Sequence, residues 1–157
     1  MQYKRLDIHY TEYSSLGELP ERDRILCEEA IKAQKSSYAP YSKFNVGAAV
    51  LLEDGTIVRG SNQENAASPS GLCAERTALF AAGVLHPGVP MLSLAIVGGP
   101  DYGMCSSPAT PCGGCRQVMA EYQKISKRPL SIIMIGKDAI WKFDSVDDVL
   151  PLIFDSI

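Results

Sequence analysis

Two short segments combine residue types able to hold a metal ion and move protons. One is Cys73-Ala74-Glu75-Arg76, and the other is Pro111-Cys112-Gly113-Gly114-Cys115-Arg116-Gln117. Cys112 and Cys115 lie three residues apart, so on a helix both sulfurs share one face. Zinc takes thiolates at roughly 2.3 Å in a tetrahedron. A helix N-terminus lowers a thiol's pKa and so favours the thiolate that binds metal. Cys73 supplies a third sulfur from a separate segment. Three protein ligands leave a corner for water, the pattern of a catalytic site, whereas four close a structural one. The Cys-x-x-Cys spacing by itself also suits a redox pair, half of a structural zinc knot or two buried thiols. Glu75 close to Cys73, and Pro111 ahead of the pair, favour proton chemistry at a metal.

Three thiolates on a divalent zinc leave a formal charge of about −1, which blunts its Lewis acidity. Arg76 is the expected compensation, three residues after Cys73 and able to donate several hydrogen bonds to sulfur; its alternative is a solvated helix arginine. Helical spacing alone does not aim Glu75 at the metal, because positions 73 and 75 are about 200° apart around an ideal helix. Of the other cysteines, Cys27 reads as a buried helix thiol and Cys105 as the best rival ligand. His9 and His86 have no partner at useful spacing and read as surface residues.

Several elements must position these groups. Leu19-Pro20-Glu21 opens a helix running to about Ser36, with Ile25, Leu26, Ala30 and Ala33 as its buried stripe. Val46–Leu52 and Thr56–Arg59 read as strands joined at Asp54-Gly55, a hairpin signal. A helix is expected over Leu72–Ala82, ended by Gly83. Leu92–Val97 and Leu130–Ile135 are apolar runs suited to strands buried on both faces. A third helix is expected from Cys112 to about Ile125, then a short strand, Ile140–Phe143, and a last helical turn from Val146. Helices interleaved with apolar strands imply an α/β fold, a three-layer α/β/α sandwich. Residues 1–20 read as an extension, a strand or an arm, ahead of one domain over 21–157.

The 157 residues are 46% hydrophobic, enough for a core that needs no disulfide or metal merely to fold. The net charge of −3, with lysines and arginines scattered, disfavours DNA or RNA as partner and suits a small uncharged ligand. No apolar run is long enough to span a bilayer. Met1–Tyr10 carries charges and lacks the apolar centre of a signal peptide, so a reducing cytoplasmic location is expected. Five cysteines, an odd number, agree with that.

The ligand-x-Glu and Pro-Cys-x-x-Cys pattern resembles the signature of zinc nucleobase deaminases in its all-cysteine form. The likeness extends to Tyr38-Ala39-Pro40-Tyr41-Ser42-Lys43-Phe44, to Gly60-Ser61-Asn62-Gln63-Glu64-Asn65-Ala66-Ala67 and to Leu150-Pro151-Leu152-Ile153-Phe154. Over roughly residues 21–155 the sequence is similar to the small homotetrameric cytidine deaminases of pyrimidine salvage. The resemblance implies a mixed five-stranded sheet, one zinc per subunit on Cys73, Cys112 and Cys115, a nucleoside substrate and a homotetramer. It implies hydrolysis of cytidine and deoxycytidine to uridine and deoxyuridine. Zinc would acidify a water for attack on C4 of cytosine, and Glu75 would carry its proton toward N3 and the departing ammonia. Phe44 would stack on the pyrimidine, and Asn62 and Glu64 would bind ribose hydroxyls. Backbone groups of Ala74 and Thr110 would hold the base edge, and Phe154 would pack near a neighbouring subunit's site. One position departs: Ser68 stands where the family usually has Tyr, which implies altered substrate affinity, subunit contact or substrate.

Overall fold

The computed structural model describes residues 1–155, so the last two residues of the expected 21–157 domain lie outside the described part. The strands are β1 (Thr11–Tyr13), β2 (Phe44–Leu52), β3 (Ile57–Ser61), β4 (Met91–Pro100), β5 (Ser131–Ile135) and β6 (Ile140–Phe143). The helices are α1 (Glu21–Gln34), α2 (Ala74–Leu85) and α3 (Gly113–Ser126). The strands form one sheet in the order β1-β6-β5-β4-β2-β3. Only β4 and β5 run parallel, linked by α3 as crossover, and every other pair is antiparallel.

Period-two alternation builds the layers. Ala48, Val50 and Leu52 of β2, Leu94 and Ile96 of β4, and Ile132 and Met134 of β5 point into one core, shared with Ala78, Leu79 and Ala82 of α2 and Cys115 and Met119 of α3. Ala49, Leu51, Ala95, Val97, Ile133 and Ile135 point the other way, onto Leu26, Cys27 and Ala30 of α1. Both faces of the central strands are therefore covered, as their continuous apolar runs require. The architecture is the expected α/β/α sandwich.

Three details differ from the sequence expectation. The sheet has six strands rather than five, because β1 pairs with β6 from inside the segment read as an extension. Tyr10 stacks its ring at 5.6 Å from Trp141 and 5.3 Å from Phe143, and Trp141 Nε1 donates to Glu12 at 2.7 Å. These contacts cover what would otherwise be a bare sheet edge. In α1, Ile25 is 39% exposed and Cys27 is fully buried. The buried face is centred one position later, on 26, 27, 30, 33 and 34. Gly83 does not end α2, which continues to Leu85. A Cβ at Gly83 would sit 2.6 Å from the Tyr122 hydroxyl, so the missing side chain makes room for α3.

Cys27 is the buried helix thiol expected. Burial first, then the negative charges of Asp23 and Glu28, push its pKa up to about 12.

A candidate metal centre and the cavity beside it

The two cysteine motifs fold alike. Cys73 and Cys112 occupy the N-cap positions of α2 and α3, each in extended backbone and neither using its side chain to cap the helix amides. Their sulfurs are therefore free to face a shared point in front of two helix N-termini, where the dipoles favour negative charge. Cys115, one turn into α3, is fully buried and completes the group. The three Sγ atoms all lie within 4.8 Å of one another, and Cys112 Sγ and Cys115 Sγ are 3.6 Å apart. A tetrahedral zinc with bonds of roughly 2.3 Å places its ligands about 3.8 Å apart, so the sulfurs match that geometry. Cys115 is buried, Cys73 half-buried and Cys112 exposed, so the trio is open on one side. Among the described residues no other group of three metal-ligating side chains comes together, and Cys105 and both histidines stand outside this one. Cys105 is instead held by its backbone, donating to Gly98 and accepting from Lys137.

Electrostatics favour the metal-binding thiolate at Cys73. A hydrogen bond from Cys115, followed by the Arg76 guanidinium, lowers the Cys73 thiol to about 5. The same bond and burial push the Cys115 thiol up. Arg76 Nη2 donates to Cys73 Sγ at 3.6 Å, the contact expected from its spacing. Glu75 is 5% exposed, and burial, then the neighbouring Cys73 charge, raises its pKa above the usual carboxylate value.

A cavity of about 310 Å³ opens beside the sulfurs. Its wall brings together Phe44, Asn62, Glu64, Ala74, Glu75 and Thr110 with Cys73 and Cys112. Those residues come from β2, the segment after β3, the start of α2 and the loop before α3. A volume near 300 Å³ with few polar groups is ordinary for a small-ligand site. A larger open groove of about 710 Å³ shares Ser42, Asn62, Glu64 and Cys73 with it and is bordered by Ser68 and Arg76.

Asn62 and Glu64 are not loose within this cavity. Asn62 accepts from the Val46 amide and donates to the Phe44 carbonyl, each at 2.9 Å. Glu64 accepts from the Ser42 hydroxyl and from the Tyr41 and Ser42 amides, and these bonds, the hydroxyl first, hold its carboxyl below the usual range. Both side chains thus clamp the segment carrying Phe44. Ser42, which anchors Glu64 and borders both cavities, was quoted in the sequence motif but given no role of its own. Only the fold shows that it meets a residue twenty-two positions away. Phe154 lies off the cavity wall, 66% exposed, its carbonyl accepting from Gln117 Nε2 at 2.8 Å.

Gly60, on β3, sets how closely α2 approaches the sheet. A Cβ there would lie 2.6 Å from the Ala74 carbonyl and collide with the Ala78 amide. Gly60→Ala is therefore expected to destabilise the protein by about 1–3 kcal/mol through overpacking. It should also loosen metal binding, because the helix turn it displaces begins at Cys73. Thermal unfolding and zinc content measured on one preparation check both effects.

Residues 20–131 match the family described as the cytidine and deoxycytidylate deaminase zinc-binding region. A cytidine deaminase of Halalkalibacterium halodurans is 46% identical over 98 residues, covering 62% of this chain and 70% of that one. The crystal structure of a cytidine deaminase from Burkholderia pseudomallei superposes with a TM-score of 0.68 at 40% identity, over 83% of this chain and 97% of that one. The cytidine deaminase of Mycobacterium tuberculosis superposes with a TM-score of 0.67 at 34% identity, over 84% of this chain and 96% of its own.

Proposed function

The chain belongs to the cytidine and deoxycytidylate deaminase family, and from that premise we propose an enzyme that deaminates cytidine, and deoxycytidine with it, by hydrolysis. The observation that carries this reading is the meeting of three sulfurs, a buried carboxyl group and a nucleoside-sized cavity at one place. Cys73, Cys112 and Cys115 hold one zinc. When bound, zinc supplies the Lewis acidity that makes water nucleophilic near neutral pH.

The chain's own residues do the rest. Glu75 would accept one proton from the attacking water and deliver it to N3, then take the second from the hydroxyl left on C4 and deliver it to the departing amine, which leaves as ammonia. Its burial matters here, because a carboxyl group with a raised pKa exchanges protons near neutrality more readily than an exposed one. Phe44 lies against the base, and Ala74 and Thr110 hold the base edge through their backbone. Asn62 and Glu64 present the sugar side of the cavity. The Glu64 carboxylate, kept ionised by its three donors, stays an acceptor for a hydroxyl.

Arg76 balances the charge of the sulfurs. Arg76→Ala should lower zinc retention and turnover together, by about tenfold or more. Unchanged zinc content and unchanged activity would retire this role.

We further assign the protein to the cytoplasm and to a homotetramer. Exposed Val84, Leu85, Leu152 and Phe154 supply apolar surface suited to subunit contacts, with Phe154 near a neighbour's site. Sedimentation gives the assembly state. No described helix is long and apolar enough to cross a membrane.

The deciding experiment is an assay of purified protein with cytidine and deoxycytidine, following the loss of cytosine absorbance with and without a zinc chelator. Turnover that disappears on chelation and returns with zinc is expected. A zinc-loaded protein inert toward both nucleosides would defeat the proposal.

A further inference from the structure

The loop that delivers Thr110 and Cys112 buries Pro108 and Pro111 but leaves Thr110 and Cys112 themselves exposed. Its sequence, Pro108-Ala109-Thr110-Pro111-Cys112, contains two prolines, which cannot donate backbone hydrogen bonds. An open cavity of about 210 Å³ borders Thr110, walled also by Tyr10, Trp141, Phe143 and Val149. On that side Thr110 is not packed against neighbouring side chains, so packing fixes it less firmly than the buried prolines. Directional bonds must then do what packing does not.

Arg116 supplies one. It borders the same cavity. Its Nε donates to the Pro111 carbonyl at 2.9 Å, and its Nη1 donates to the Val149 carbonyl at 2.8 Å. The planar guanidinium fixes both carbonyls relative to one rigid group, and charged donors make stronger bonds than neutral ones. Pro111 is the residue between Thr110 and Cys112, so the direction of its carbonyl sets where both neighbours point.

We propose that Arg116 is a positioning residue, acting through the Pro111 carbonyl to hold Cys112 at the metal and Thr110 at the base edge, with the chain near Val149 as its anchor. The inference rests on the zinc and nucleoside reading above and assigns Arg116 a part in both halves of it.

The test compares Arg116→Gln and Arg116→Lys with Gln123→Leu. Gln123, on the same helix, accepts from the Leu130 and Val146 amides and lies outside the site, so its replacement reports the cost of loosening α3 and the turn after Ser145 while the Arg116 bond to the Pro111 carbonyl stays. Zinc release into a chromogenic chelator and the separate values of kcat and KM are read for each variant. Arg116→Gln should weaken zinc retention by roughly 10–100-fold and raise KM for cytidine. Arg116→Lys, able to reach one carbonyl, should recover part of the loss, and it carries the test if Arg116→Gln does not fold. Gln123→Leu should lower the melting temperature while releasing zinc at the parental rate.

Parental zinc release and KM in both Arg116 variants would overturn the proposal, as would equal acceleration by Gln123→Leu at matched melting temperature. A parent protein that binds no zinc would instead overturn the reading on which the proposal stands.

Discussion

Glu75→Gln is expected to keep one zinc per chain while kcat falls by roughly 10²–10⁴-fold. The amide fills the same space as the carboxyl group, so the 5%-exposed position stays packed. The metal stays because the group that can hold it consists of three sulfurs and does not include Glu75. What disappears is a group that can both take and give a proton at pH 7. KM should change far less than kcat, since the cavity wall is otherwise intact. The result also separates a catalytic centre from a structural one, because a purely structural zinc would leave no turnover to lose. Metal analysis and steady-state kinetics on the same sample decide it. Loss of zinc, or a kcat within tenfold of the parent, would remove Glu75 from the proposed role.

Cys115→Ser should abolish both zinc binding and turnover, and it should also destabilise the fold. Cys115 differs from its two partners in being fully buried among Met119, Ala120 and the sheet residues of the larger core. A hydroxyl in that setting costs about 1–3 kcal/mol unless it finds a partner. Removing one of three ligands leaves too few to hold the ion. Cys105→Ser is the internal control, because Cys105 stands apart from the sulfur group and should keep its zinc and activity. Zinc retained in Cys115→Ser, or lost in Cys105→Ser, would mean that the ligand set is wrong.

The sequence marked the proposed chemistry plainly and the architecture in outline. A Cys-x-x-Cys at a helix start and a Cys-x-Glu at another are local patterns, and local patterns survive in a linear reading. So do apolar runs: the strand at 140–143 lies where it was expected, and the helix and sheet alternation gave the layered fold. The features that were misplaced or left open depend on distant neighbours. Gly83 reads as a helix end because glycine often is one, but here Tyr122 from α3 needs its space. Residues 11–13 form a strand only because β6 offers them an edge and Trp141 offers Tyr10 a surface.

By itself the sequence determined which residues could bind a metal, which acid stood next to them, and that helices would alternate with buried strands. Spacing and periodicity encode those properties within a few turns of chain. Only the tertiary structure decided that sulfurs nearly forty positions apart converge within 4.8 Å, that Glu64 and Asn62 clamp the Phe44 segment, and that Arg116 reaches back to Pro111. The reason is physical. Such meetings are set by how two helices pack on one sheet, and the free energy of that packing is spread over the whole core rather than written in any one segment.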